Sequence, residues 1–321
     1  MSKCGSKILI TGATGFLGQH ILKTVENKCT TVVLGRIRPD NYFGEFKQYD
    51  LKDISNQLTD LQSIDVVIHC AARAHIMHDL SSEPLAEYRL VNTESTLQLA
   101  KLAAKSGVKR FIFVSSIKVN GESTSDRMPF KFCDKPGFKD PYGQSKSEAE
   151  RLLCELAKET GLEVVVIRPT LVYGPGVKAN FASLMNLVSK GIPLPFGCIT
   201  HNKRSLVSVT NLVDLITTCI DHPKAANQVF LVSDDHDVST SEMVREMAKA
   251  LSKHTWQLPI PIWCYKLAGK LFKKSDVVDR LTGSLQVDIS HTKDTLGWKP
   301  PQTLQEGFKQ TAQAFLQAKT K

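Results

Sequence analysis

Lys7-Ile8-Leu9-Ile10-Thr11-Gly12-Ala13-Thr14-Gly15-Phe16-Leu17-Gly18 is the stretch whose reading decides the fold. A short apolar run gives a buried strand, a glycine loop turns it, and a helix starts near Phe16. The spacing G-x-x-G-x-x-G is one residue longer than the standard dinucleotide fingerprint. Its glycines serve a tight turn, close approach to a phosphate and packing of helix on strand. Backbone N–H groups around Thr14, Phe16 and Leu17, with the positive end of the helix dipole, suit a pyrophosphate. A glycine triplet alone is weak evidence; its place straight after a strand strengthens it.

Outward from there, Thr31–Leu34 reads as the second strand and ends at Gly35-Arg36. Gly35 lies twenty residues beyond Gly15, where an acidic side chain would grip the ribose 2′-hydroxyl of NAD. No acid stands there. Arg36 follows, with Arg38 two residues on, and an arginine in this place can receive the 2′-phosphate of NADP. The reading favours NADP(H) and keeps NAD(H) as the alternative, in which both arginines are solvated loop residues. Asp65–His69 is the third strand and runs into Cys70-Ala71-Ala72, whose small side chains admit a cofactor. Asn92–Ser106 is a helix stopped by Gly107, and Phe111–Val114 is the fourth strand, ending at Ser115-Ser116. Asn120–Pro141, with three prolines and two glycines, reads as a loop long enough to be a functional lid. A helix from Pro141 to about Thr160, closed by Gly161, leads to a strand at Glu163–Ile167 and a crossover at Arg168-Pro169. Such alternation means an α/β fold, a doubly wound parallel sheet covered on both faces.

Beyond Pro169 the pattern changes. Tyr173-Gly174-Pro175-Gly176, Pro193-Leu194-Pro195 and Leu258-Pro259-Ile260-Pro261 punctuate shorter elements. We expect a main domain over 1–169 and a smaller, discontinuous lobe over 170–321, with strands near 206–209 and 229–232 returning to the main domain. Phe181–Gly191 and Ser241–Leu251 read as helices. Ile262–Phe272 is an amphipathic helix beside Lys270, Lys273 and Lys274; core packing is the expectation and contact with a membrane surface the alternative.

Composition narrows the functions. The chain of 321 residues is 42% hydrophobic and 23% charged, as in a globular protein. No apolar run approaches the roughly 18 residues of a membrane helix, and Met1-Ser2-Lys3-Cys4 leaves no room for a signal peptide. Eight cysteines at least 21 residues apart, with no Cys-x-x-Cys pair, predict reduced thiols in a cytoplasm and no metal site. The net charge of +9 is spread along the chain without a nucleic-acid-binding pattern. It suits the steering of phosphate-bearing ligands better than nucleic-acid binding.

The chemistry is carried by Pro141-Tyr142-Gly143-Gln144-Ser145-Lys146. On a helix Tyr142 and Lys146 share a face, and a nearby ammonium is expected to lower the phenol's pKa toward neutrality. That makes a general acid/base for an alcohol–carbonyl pair.

Together the glycine loop, Asn92, the Ser115-Ser116 strand end and the Tyr142/Lys146 pair resemble the extended short-chain dehydrogenase/reductase family, from about Lys7 to Phe308. The nearest likeness is to bacterial UDP-hexose and UDP-N-acetylhexosamine 4-epimerases, and to 4-ketoreductases forming UDP-N-acetylquinovosamine. The resemblance rests on VIHCAARAH at 67–75, FIFVSSIKVNGE at 111–122, DPYGQSKSEAE at 140–150, RPTLVYGPG at 168–176 and RSLVSVTNLVDLI at 204–216. It implies a Rossmann-like fold and a catalytic set of Ser116, Tyr142 and Lys146. Ser116 would hold the sugar O4 and Lys146 would bridge the nicotinamide ribose. Cofactor contacts would come from Gly12, Thr14, Gly15, Phe16, Leu17, Gly18, Arg36, Ala71, Ala72, Ser115 and Pro169. Asp50 and Leu51 would hold the adenine, and Asn92 would support the proton relay. Asn180 and Phe181 resemble the pair near the substrate diphosphate, Leu194–Phe196 the segment whose backbone pairs with uracil, and Arg204 and Arg280 the diphosphate ligands. The acid closing the second strand is missing, and Ala74 stands where a cofactor-touching lysine often lies.

Those departures favour an NADPH-dependent reductase of a UDP-4-keto-6-deoxy-N-acetylhexosamine in surface-polysaccharide (O-antigen, lipopolysaccharide) biosynthesis. The alternative is a UDP-glucose or UDP-N-acetylglucosamine 4-epimerase with tightly held NAD. A non-catalytic dinucleotide sensor is the third reading, disfavoured because the tyrosine, lysine and serine are all present. A homodimer through helices of the first lobe is also implied.

Overall fold

A computed structural model describes residues 5–50, 52, 60–73 and 83–319. Leu51 and Ala74 lie outside the described residues, as does the side chain of Asn180.

Seven strands form the main sheet: β1 (Lys7–Thr11), β2 (Thr30–Gly35), β3 (Glu45–Gln48), β4 (Val66–His69), β5 (Arg110–Val114), β6 (Glu163–Pro169) and β9 (Gln228–Val232). Their order is β3-β2-β1-β4-β5-β6-β9, and every neighbouring pair is parallel. The chain reverses direction across the sheet between β1 and β4, so the ends of these strands frame the crevice where such sheets bind ligands. Alternation along β1 explains the two-sided core. Ile8 and Ile10 join Ile21, Leu22 and Val25 of helix α1 (Phe16–Val25), whereas Leu9 joins Leu99 and Leu153 on the other face.

On that second face lie α2 (Pro84–Arg89), a π-helical turn at Leu90–Glu94, α3 (Ser95–Lys105) and α4 (Pro141–Thr160). Helix α4 has clear local causes. Asp140 caps it by accepting from the Gly143 N–H at 2.7 Å, Pro141 opens it, and Gly161 closes it at φ +75°.

Strands β7 (Leu171–Tyr173), β8 (Arg204–Ser208) and β10 (Asp237–Val238) make a second sheet in the order β10-β8-β7. The strand expected near 229–232 thus lies in the main sheet, but the one expected near 206–209 does not. It pairs with β7 and β10, with Leu206 in a separate core beside Tyr173, Phe181, Met247 and Phe308 and Val207 facing the core of the main sheet. Around that core lie α5 (Ala179–Ser189), α7 (Thr240–Ala250) and α11 (Leu304–Lys319), while α6 (Val209–Thr218) and α10 (Ser290–Leu296) pack toward the main sheet. A hairpin of α8 (Ile262–Leu271) and α9 (Ser275–Thr282) completes the lobe.

Strand β3 was not expected. Its sequence Glu-Phe-Lys-Gln has little apolar content, and an edge strand needs little to pair with Val32–Gly35.

Candidate active site

The glycine loop ends β1 and begins α1. Gly12 has φ +71°, and a Cβ there would lie 2.7 Å from the Ala71 nitrogen, so only glycine lets the ends of β1 and β4 come this close. A Cβ on Gly18 would fall 2.1 Å from the Gly12 carbonyl oxygen, and one on Gly15 would lie 3.1 Å from it. No side chain caps α1, and no acid sits in its first turn. An uncapped helix start beside a glycine bend is a cradle that fits an anionic pyrophosphate. Thr14 is exposed, Phe16 and Leu17 half-buried, and Ala71 donates its N–H to Thr11 Oγ1 at 3.3 Å. Ala72 follows on the exposed side, and buried Pro169 ends β6 opposite Val232.

At the end of β2 the two arginines part company. Arg38 Nη1 donates to the carbonyls of Tyr42 and Gly44, both at 3.1 Å, and its guanidinium lies 5.2 Å from the Phe46 ring centroid. These bonds fasten the β2–β3 loop, while Arg36, two residues earlier, is exposed. Asp50 is exposed, with Oδ1 accepting the Lys52 N–H at 3.1 Å.

Tyr142 stands in the first turn of α4, half-buried, with its ring 6.1 Å edge-on from Tyr88. Burial pushes its phenol up to about 12, against a hydrogen bond with the Ser116 side chain that pulls it down. Lys146 is 1% exposed and turned inward. Its ammonium donates to the Val114 carbonyl at 2.9 Å and lies 4.4 Å from the Phe113 ring centroid. Burial lowers its pKa to about 8, with Cys70 and Glu150 holding it up. The expected lowering of the Tyr142 pKa by Lys146 is therefore not seen: the ammonium sits deeper, against the end of β5. An ammonium has three donors, and the two not directed at Val114 suit cofactor hydroxyls.

Asn92 is fully buried. Its Oδ1 accepts from the Arg73 N–H at 2.8 Å, and its Nδ2 donates to the Arg73 carbonyl at 3.2 Å and to Ser145 Oγ at 3.0 Å. Ser145 in turn donates to the Tyr142 carbonyl at 2.8 Å. The π-helical turn thus places Asn92 where it joins the post-β4 loop to α4.

Ser115, expected beside the cofactor, has its hydroxyl engaged within the protein. Its hydroxyl is bonded to buried Glu150, which also forms an ion pair with Arg168 at 2.5 Å. Arg168 continues to Asn120 Oδ1 at 2.9 Å, and Asn120 donates to the Lys131 carbonyl at 2.8 Å. Sequence reasoning missed this network, which ties β5, α4, β6 and the 120–132 loop beneath the tyrosine. It also missed His69, braced between Thr11 Oγ1 at 2.8 Å and Thr96 Oγ1 at 2.9 Å, and kept neutral by burial, which lowers its pKa to about 3. A charged residue inside a strongly apolar run was the available signal for Arg168, whereas Glu150 sits among charged neighbours and gave none.

In the second lobe Arg204 is half-buried and donates to the carbonyls of Arg280 at 2.8 Å and Gly283 at 3.4 Å. Burial, and after it the charge of nearby Arg280, lower its pKa, and two arginines this close suit a diphosphate. Phe181, expected near the substrate diphosphate, stacks its ring 5.3 Å from Tyr173 in the lobe core. At Leu194, expected to face uracil with its backbone, the N–H donates to the Trp256 carbonyl and the carbonyl accepts from the Leu258 N–H, both at 2.7 Å. Phe196 is buried, with its carbonyl accepting from Ile199 at 3.1 Å.

Compared with known proteins, residues 8–233 match the family described as "NAD dependent epimerase/dehydratase family". The chain belongs to this family. A relative in this epimerase/dehydratase family, the "UDP-glucose 4-epimerase" of Vibrio cholerae, is 67% identical over 98% of this chain and 97% of its own. The UDP-glucose 4-epimerase of Thermotoga maritima, solved with UDP-glucose, superposes with a TM-score of 0.77 at 23% identity, covering 97% of this chain and 99% of that one. The UDP-glucuronic acid 4-epimerase of Bacillus cereus, solved with NAD, gives a TM-score of 0.75 at 21% identity over 97% and 99% of the two chains. Both superpositions show a shared fold. Among the described residues no helix is long and apolar enough to cross a membrane, and no group of side chains is arranged to hold a metal ion.

Proposed function

We propose that this epimerase/dehydratase family member interconverts the C4 epimers of a UDP-hexose, UDP-glucose foremost, with NAD held throughout the cycle. The observation that carries the reading is the 67% identity, over almost the whole of both chains, with a UDP-glucose 4-epimerase. It replaces the expected NADPH-dependent 4-ketoreductase. That expectation leaned on two arginines, one of which is occupied in closing its own loop.

NAD, when bound, supplies the acceptor and donor of the C4 hydride. The chain's own residues would do the rest. Tyr142 takes the proton of the C4 hydroxyl as the sugar is oxidised and returns it to the oxyanion when the other face is reduced. Ser116, already bonded to the phenol, orients O4. Lys146 offers its remaining N–H groups to the ribose of NAD, and Thr14, Phe16 and Leu17 present backbone N–H groups to its pyrophosphate. Arg204 and Arg280 would hold the substrate diphosphate. The same groups would serve an N-acetylated sugar.

Purified protein incubated with UDP-glucose, without added cofactor, should produce UDP-galactose detectable by NMR, and heat-denatured protein should release NAD. Absence of any C4 epimer from UDP-glucose or UDP-N-acetylglucosamine, with NAD added, would sink the proposal. NADPH consumption with a UDP-4-keto sugar would restore the reductase reading.

A further inference from the structure

Helix α8 does not bury its apolar face. Ile262, Tyr265 and Gly269 turn toward the lobe, and the missing Cβ of Gly269 leaves room for Val278 of α9, whose side chain lies 2.8 Å from where that Cβ would be. The opposite stripe, at i, i+4 and i+8, is Trp263, Leu267 and Leu271, exposed by 66%, 61% and 75%. Phe272 at the helix end is 68% exposed. Lys266 and Lys270 fall on the same side of the helix wheel, and Lys273 and Lys274 follow at its end, all four exposed. From Ile262 to Lys274 there are four lysines and no acid. Core packing, the reading the sequence favoured, is thereby excluded for this stripe.

We propose that the α8 face docks the protein on the surface of an anionic phospholipid bilayer. An indole and leucines flanked by lysines are the composition of a helix lying in a membrane interface, with apolar side chains among the acyl ends and ammonium groups at the headgroups. Long lysine stems let the charges reach those headgroups while the apolar stripe sinks. A second copy of the chain fits less well, because a two-fold contact through this face would bring its lysines against their own symmetry mates. Docking leaves the Tyr142 site untouched, since the stripe lies outside the residues that form it. The inference is therefore independent of which nucleotide sugar is turned over.

The test is flotation of the full-length protein with phosphatidylcholine vesicles, pure or with about one third phosphatidylglycerol, a charge density that gives lysines a measurable pull. Binding is expected only to the anionic vesicles, with a blue shift of tryptophan emission that W263F abolishes. The double variant K266E/K270E should weaken binding roughly 20-fold or more, on the scale of a several-fold contribution per basic residue at the surface. L267S/L271S should also release the protein, and both variants should keep circular dichroism and sugar turnover in solution. Wild-type protein remaining in the soluble fraction at low salt, or equal binding to neutral vesicles, would overturn the proposal. So would a fall in sedimenting mass for L267S/L271S without any vesicle binding by the wild type, which would assign the face to a second copy.

Discussion

Replacing Lys146 by methionine should make the cofactor-free protein more stable at neutral pH while destroying its activity. Lys146 is 1% exposed, and burial brings its pKa down to about 8 from an ordinary value of 10.5. A folded-state pKa below the unfolded one means that the unfolded chain binds the proton more tightly. The cost of holding the charge is then fully present below pH 8, falls as pH rises from about 8 to about 10.5, and is gone above that window. At about 1.4 kcal/mol per unit, the shift corresponds to roughly 3 kcal/mol at pH 7, shrinking to about 1.4 kcal/mol at pH 9.5. Methionine fills similar volume without the charge but loses the bond from a charged donor to the Val114 carbonyl, a net loss of about 1.5 kcal/mol. The variant should therefore gain roughly 1.5 kcal/mol at pH 7, and most of that gain should disappear by pH 9.5. Urea denaturation of both cofactor-stripped proteins across that range is the assay. A variant less stable at pH 7, or an advantage that stays constant with pH, would refute the reasoning. A buried lysine held at the expense of stability is what a functional site retains.

Two further outcomes test the machinery around it. Tyr142→Phe removes the oxygen proposed to transfer the proton and should lower turnover by about 10²–10⁴-fold, while NAD released on denaturation stays at the wild-type level. Glu150→Leu should leave Arg168 buried without its partner and cost roughly 3–5 kcal/mol in urea denaturation. The double variant Glu150→Leu/Arg168→Met should recover much of that loss, and a double variant no better than the single one would mean that the ion pair is not what holds β6 to α4.

What could be read from sequence follows the range over which each signal acts. The strand, glycine turn and helix at Lys7–Val25 were legible because every determinant lies within a few residues. Helix α4 was legible to both ends for the same reason, with Pro141 opening it and Gly161 closing it. Strand β3 was not, since an edge strand of Glu-Phe-Lys-Gln has almost no apolar signature. The depth of Lys146 was hidden as well. Helical spacing puts it on the face of Tyr142 but does not say how far its stem reaches, and that is set by Phe113 and Val114 on another element. Leu194 likewise reads as an open backbone segment until Trp256 and Leu258, some sixty residues later, take its hydrogen bonds.

The reaction type was the hardest to read, for a chemical reason. A 4-epimerase and a 4-ketoreductase need the same proton donor at O4, the same orienting hydroxyl and the same ammonium, so Ser116, Tyr142 and Lys146 cannot distinguish them. The distinction lies in whether the dinucleotide leaves after each turnover, and the groups bearing on that stand at the end of β2, far from the sugar. Gly35-Arg36 offers no carboxylate to a ribose, and Arg38 is tied to Tyr42 and Gly44. Retention of NAD must then draw on contacts made elsewhere along the dinucleotide. Under the proposed function, the glycine loop at Gly12–Gly18 and the buried ammonium of Lys146 are two such contacts among the described residues. Under the proposed function, ribose hydroxyls accepting from the two remaining N–H groups of Lys146 would offset part of the roughly 3 kcal/mol that burial of the charge costs the empty protein, and those bonds would help hold the cofactor.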